Sequence, residues 1–73
     1  MEDHFRIWIT FSNGSQTLDT DWSPIETIES SLRRLFNGPI SKMNVLSEVR
    51  VVDMSDCIVF LVQDGKQVFP EAA

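Results

Sequence analysis

Phe5, Ile7, Ile9 and Phe11 alternate with Arg6, Trp8, Thr10 and Ser12, the period of two that marks a strand with one buried face. Asn13-Gly14 follows, and that dipeptide favours the positive-φ pair of a type I′ turn. A two-residue loop there sets Ile9 opposite Leu18, Ile7 opposite Thr20 and Phe5 opposite Trp22 on the core face. On the outer face it sets Arg6 opposite Asp21 and Thr10 opposite Thr17, and both pairs favour that register.

The period then changes. Ile25, Ile28, Leu32, Leu35 and Phe36 recur at helical spacing, with Thr27, Ser30, Ser31, Arg33 and Arg34 facing away. Ser23-Pro24-Ile25-Glu26 reads as a capping box with proline at the first helical position, where its missing N–H costs nothing. Glu26 and Glu29 near the start and Arg33 and Arg34 near the end suit the helix dipole. Asn37-Gly38-Pro39 ends the helix. Ile40 to Ser47 reads as a connector, either a short helical turn or a plug at the sheet edge.

A strand runs from Glu48 to Met54, Ser55-Asp56 turns it, and Cys57 to Val62 returns as a run apolar on both faces, the mark of a central strand. Asp64-Gly65 is a second type I′ signal, leading into Lys66 to Phe69, and Pro70 marks an edge or a strand end. The order is ββαβββ. The fold class is therefore α+β, an antiparallel sheet with one main helix packed on one face, in a single compact domain over residues 1–73. Phe5, Ile7, Ile9, Ile28, Leu32, Leu35, Val51 and Phe60 form the expected core.

One helix covers one face of a sheet, so the other face has to be accounted for. The turns above put Val51, Phe60 and Phe69 on one face and Val52, Val59, Leu61 and Val68 on the other, with Trp8 joining the second group. Arg6 and Arg50 interrupt that patch, and Asp19 adds an acidic contact. Aromatic and arginine anchors among apolar neighbours suit an interaction surface. The occupant is a partner protein or a second copy, unless the connector folds across this face and makes it core.

Eleven carboxylates against six Lys and Arg give a formal charge of −5, which offers no counterion-release gain on DNA or RNA. No nucleic-acid partner is expected. The charge serves solubility, or it aims an acidic face at a basic site on another protein. The acidic start, Met1-Glu2-Asp3-His4, lacks the basic region of a signal peptide, and the longest apolar run, Cys57 to Val62, is far short of a membrane span. A cytoplasmic location and no membrane contact are expected.

The chemistry on offer is sparse. Cys57 and His4 are the only thiol and imidazole, and nothing in the spacing joins them as a nucleophile pair. Cys57 is expected to be buried and inert. Asp19 and Asp21, two apart on a strand, suit a surface ion pair better than acid–base work, and Asp53-Met54-Ser55-Asp56 lacks the glycine and ligand count of a calcium loop. There is no phosphate loop, dinucleotide fingerprint or nucleophile elbow. Neither an enzyme nor a cofactor or metal site is expected.

Trp8-Ile9-Thr10-Phe11-Ser12-Asn13-Gly14, then a capped helix, then Val62-Gln63-Asp64-Gly65-Lys66, resembles a layout recurrent among small phage-encoded proteins. Some of these are anti-CRISPR or other host-takeover inhibitors that mask a surface of a host protein. The resemblance implies an inhibitor acting in the host cytoplasm. The alternative is a homodimeric structural or assembly protein using the apolar sheet face.

Overall fold

Turn chemistry sets the register of this sheet, and the first turn differs from its dipeptide signal. The computed structural model describes residues 3–38 and 45–70. Strand β1 covers Phe5–Phe11, β2 Gln16–Ser23, helix α1 Ile25–Asn37, β3 Leu46–Asp53, β4 Ile58–Gln63 and β5 Lys66–Phe69. Between β1 and β2 the Phe11 N–H donates to Ser15 O at 2.8 Å and the Gly14 N–H to Phe11 O at 2.9 Å. Gly14 has φ +90°. This is a three-residue loop closed by a left-handed glycine, not a two-residue type I′ turn. The β3–β4 loop repeats the pattern: Asp53 N–H to Cys57 O at 3.0 Å and Asp56 N–H to Asp53 O at 3.0 Å, with Asp56 at φ 62°. Only Asp64-Gly65, at φ 51° and 79°, is a type I′ turn.

The sheet is antiparallel throughout, in the order β2-β1-β3-β4-β5, and α1 packs on one face. The ββαβββ layout expected from the sequence is the layout found. Each of the four ladders, however, carries a register shift. The extra loop residue pairs Ile9 with Thr17 and Trp8 with Leu18, and an additional residue at Asp19 restores Ile7 opposite Thr20. Leu18 therefore leaves the core face, because directly paired residues share a side. Ser47, Val59 and Val68 are the unmatched residues of the other three ladders.

The core is Ile7, Ile9, Val49, Val51 and Val62 from the sheet with Ile28 and Leu35 from α1. Phe5, Phe11, Leu32, Leu46, Val59 and Phe60 pack against it, partly buried. Val49 and Val62 were not in the sequence-derived core; their place follows from alternation with Val51 and Phe60. The apolar stripe of α1 narrows to Ile28, Leu32 and Leu35, with Ile25 and Phe36 exposed at its ends. The helix also starts one residue later than its capping box implies. Pro24 is extended and accepts the first helical bond, from Ile28 N–H at 3.1 Å, while the Ser23 hydroxyl donates to Asp21 O at 2.8 Å instead of capping. The connector named above lies mostly outside the described residues. Its end is fixed by Ser12 N–H donating to Val45 O at 2.8 Å.

Candidate functional site

The ladders align side chains of the face away from α1 into three rows. Nearest the Asn13 and Asp64 turns lie Gln16, Thr10, Glu48, Gln63 and Lys66, all polar. The middle row is Leu18, Trp8, Arg50, Leu61 and Phe69. The third holds Arg6, Val52 and Ile58, with Trp22 against Arg6. Both indoles on this face meet the Arg6 guanidinium, whose carbon lies 4.0 Å from the Trp22 ring centre and 5.9 Å from that of Trp8. Such contacts are cation–π interactions. Trp22 is 38% exposed, Ile58 40% and Phe69 47%. Trp8, Arg50, Val52, Asp56 and Ile58 line a shallow notch of ≈ 240 Å³ between them.

Arg6 and Arg50, with Lys66 at the far row, give the face its positive charge. Arg6 reaches Asp56, Nη2 to Oδ1 at 3.7 Å. The Nε of each arginine is buried without a hydrogen-bond acceptor among the described residues. Burying a donor without an acceptor costs about 1–3 kcal/mol.

Of the residues expected at a contact surface, Arg6, Trp8, Arg50, Val52 and Leu61 share this face. Three do not join them as expected. Asp19, at the unmatched position of β2, turns to the helix and accepts from Arg34 Nη2 at 2.7 Å and from the Thr20 hydroxyl at 2.9 Å. Val59 packs against the core. Val68 is the extra residue of β5, and Phe69, expected inside, takes the position opposite Leu61. Leu18, Trp22 and Ile58 were missed for the same reason: their sides are set by irregularities that alternation does not encode.

The two sheet edges are blunted. β2 carries two irregularities and the carboxylates Asp19 and Asp21, and β5 has four residues followed by Pro70. Such edges discourage strand addition.

Comparison with family models, curated proteins and solved structures finds no match. The chemistry has to be read from the chain itself. Among the described residues no group of three or more His, Cys, Asp or Glu stands in position to hold a metal ion. Asp19 and Asp21 have separate partners, the latter accepting from the Trp22 N–H at 2.8 Å. Asp53 Oδ1 accepts the amides of Ser55 at 2.8 Å and Cys57 at 3.0 Å, so that carboxylate builds its own loop. Cys57 is exposed, not buried: it falls within the β3–β4 loop, one residue before β4 begins. No described helix is long and apolar enough to cross a membrane.

Proposed function

We propose that this chain is a small, non-enzymatic protein-binding module that works by covering a surface of another protein with its helix-free sheet face. The observation that carries this reading is the row of Leu18, Trp8, Arg50, Leu61 and Phe69 beside Trp22 and Ile58. Tryptophan and arginine are the favoured anchors of protein interfaces, and here they are gathered on a broad, slightly notched surface. The ββαβββ layout also resembles one recurrent among small phage-encoded proteins, some of which inhibit host machinery by masking. That resemblance supports an inhibitor of a host defence or regulatory protein, acting in the host cytoplasm.

The test is site-specific photocrosslinking. A photoreactive residue at Trp8, compared with one at Glu29 on the exposed side of α1, is expected to capture a discrete protein from Trp8 alone. Equal capture from both positions, or none from Trp8, would refute the sheet-face reading. Light scattering of wild type and Trp8→Asp examines the homodimer alternative: a strict monomer in both excludes it.

A further inference from the structure

The sheet face is small for the task assigned to it. Five strands about 4.8 Å apart, each offering about 17 Å of length, give roughly 400 Å² in projection, half of the ~800 Å² that one partner contributes to an interface of standard size. An interface of standard size therefore runs past this face, over an end or an edge of the sheet. The end beside the third row is acidic. Phe5 is paired with both Ser23 and Asp53 there, Asp3 and Glu26 line one hollow with Phe5, and Asp21 and Asp56 lie in β2 and the β3–β4 loop. Against these five carboxylates, Arg6 is the one Lys or Arg side chain among the described residues at that end. Trp22, Ile58 and Met54, the last 62% exposed, bring apolar surface up to the carboxylates.

Resting on the sheet-face reading above, we propose that the partner presents an apolar patch bordered by lysine or arginine side chains. Its apolar part covers Trp8, Leu61 and Ile58, and its bases meet Asp21 and Asp56. A second copy of this chain is a poor occupant. A two-fold axis along the strands lays one acidic end on the other. A two-fold axis across the strands lays it on the polar row, whose charged members are Glu48 and Lys66. The first arrangement supplies no base, and the second sets the single Lys66 of each copy against five carboxylates. Arg33 and Arg34 lie on the helix, on the other side of the sheet, and buried unpaired charge opposes association.

The probe is a 14-residue amphipathic helical peptide of leucine and lysine, with a leucine and glutamate peptide of the same pattern for comparison. Binding is read by tryptophan fluorescence and by amide chemical-shift mapping of the full chain. The lysine peptide is expected to bind at the sheet face, more weakly as salt rises. Asp21→Asn/Asp56→Asn retains side chains that accept hydrogen bonds and tolerate a left-handed backbone; it is expected to weaken binding at least tenfold. Ile58→Asp should do the same, while Phe36→Asp on the helix side leaves binding unchanged.

No binding of the lysine peptide, equal binding of the glutamate peptide, or unchanged affinity in the Asp21/Asp56 double variant would overturn the basic partner. If Ile58→Asp still weakens binding in those last two cases, the sheet face stands and only the partner's charge is wrong. Shifts confined to the helix side would overturn both readings. A dimer of the free chain that Ile58→Asp dissolves would replace the basic partner with a second copy.

Discussion

Val49→Ala tests the register on which every face assignment depends. Val49 is 2% exposed, paired with Ile9 on one side and Val62 on the other, and all three lie in the core under α1. Removing two carbon groups forfeits about 1.6 kcal/mol of transfer free energy at ~0.8 kcal/mol each. A void of about 40–50 Å³ at ~24 cal/mol per Å³ adds about 1 kcal/mol, since central strands relax little. The expected loss is thus about 2.5 kcal/mol, from a total near 4–11 kcal/mol for a chain of this size. In urea, with a slope near 1 kcal/mol per molar, the midpoint falls by about 2–3 M with the slope unchanged. Val52→Ala is the paired control. Val52 is also buried, but on the helix-free face, paired with Arg6 and Ile58 and lining the surface notch with Arg50, where neighbouring side chains can close over a void. It should lose mainly the transfer contribution, about 1.6 kcal/mol. Val68→Ala, at an exposed position, should stay within about 0.5 kcal/mol. A loss below about 1 kcal/mol for Val49→Ala, or one no larger than that of Val68→Ala, would refute the register.

Further outcomes follow from single contacts. Arg6→Ala removes a guanidinium from two indoles and a stem from above Val52; a loss of about 1–2 kcal/mol and a changed tryptophan emission are expected. Asp19→Asn removes the charge that meets Arg34 at 2.7 Å, but Arg34 is 57% exposed, so the loss should be about 0.5–1 kcal/mol and shrink in 1 M salt, as chemical denaturation at two salt levels would show. Gly14→Ala adds a Cβ with nothing within 4 Å at φ +90°; its cost of about 1 kcal/mol, read as a lowered melting temperature, is that of the backbone alone.

The elements were legible because local signals agreed: alternation in β1, the 3- and 4-residue spacing of Ile28, Leu32 and Leu35, and Asp64-Gly65 as a type I′ turn. The faces were less legible. Asn13-Gly14 is compatible with two hairpin loops that differ by one residue, and one residue moves every paired side chain to the other face. Nothing local in Gln16 to Ser23 marks the irregularities at Asp19 and near Trp22; beside the first, Thr20 meets Ser31 of the helix, Oγ1 to Oγ at 3.1 Å, and Asp19 meets Arg34, contacts that the strand read alone does not contain. Val59 and Val68 were assigned by strict alternation through positions where β4 and β5 each carry an unmatched residue. Arg6, Trp8, Arg50 and Val52 share the face that alternation gives them because β1 and β3 run in unbroken register from Phe5 to Thr10, and Leu61 joins them opposite Arg50.

The irregularities have an energetic consequence that bears on function. Unbroken alternation from the original register would have sent Trp22 and Phe69 toward the helix, where full burial of a large apolar side chain is worth about 1.5–3 kcal/mol. Instead Trp22 and Phe69 stay more than a third exposed on the face that carries Trp8, and two arginine Nε groups are left without acceptors among the described residues. For a domain holding only about 4–11 kcal/mol in all, that is a sizeable stabilisation left unrealised, and folding alone gives no reason for it. Threonine or lysine at Trp22 and Phe69 would serve an idle sheet face as well and would leave less apolar surface exposed to association. Local departures from the pattern most favourable to folding are expected at functional sites. Ile25 and Phe36 are also exposed, at the ends of α1, but the tryptophans and the two arginines gather on the sheet face, which is the physical ground for proposing the contact surface there.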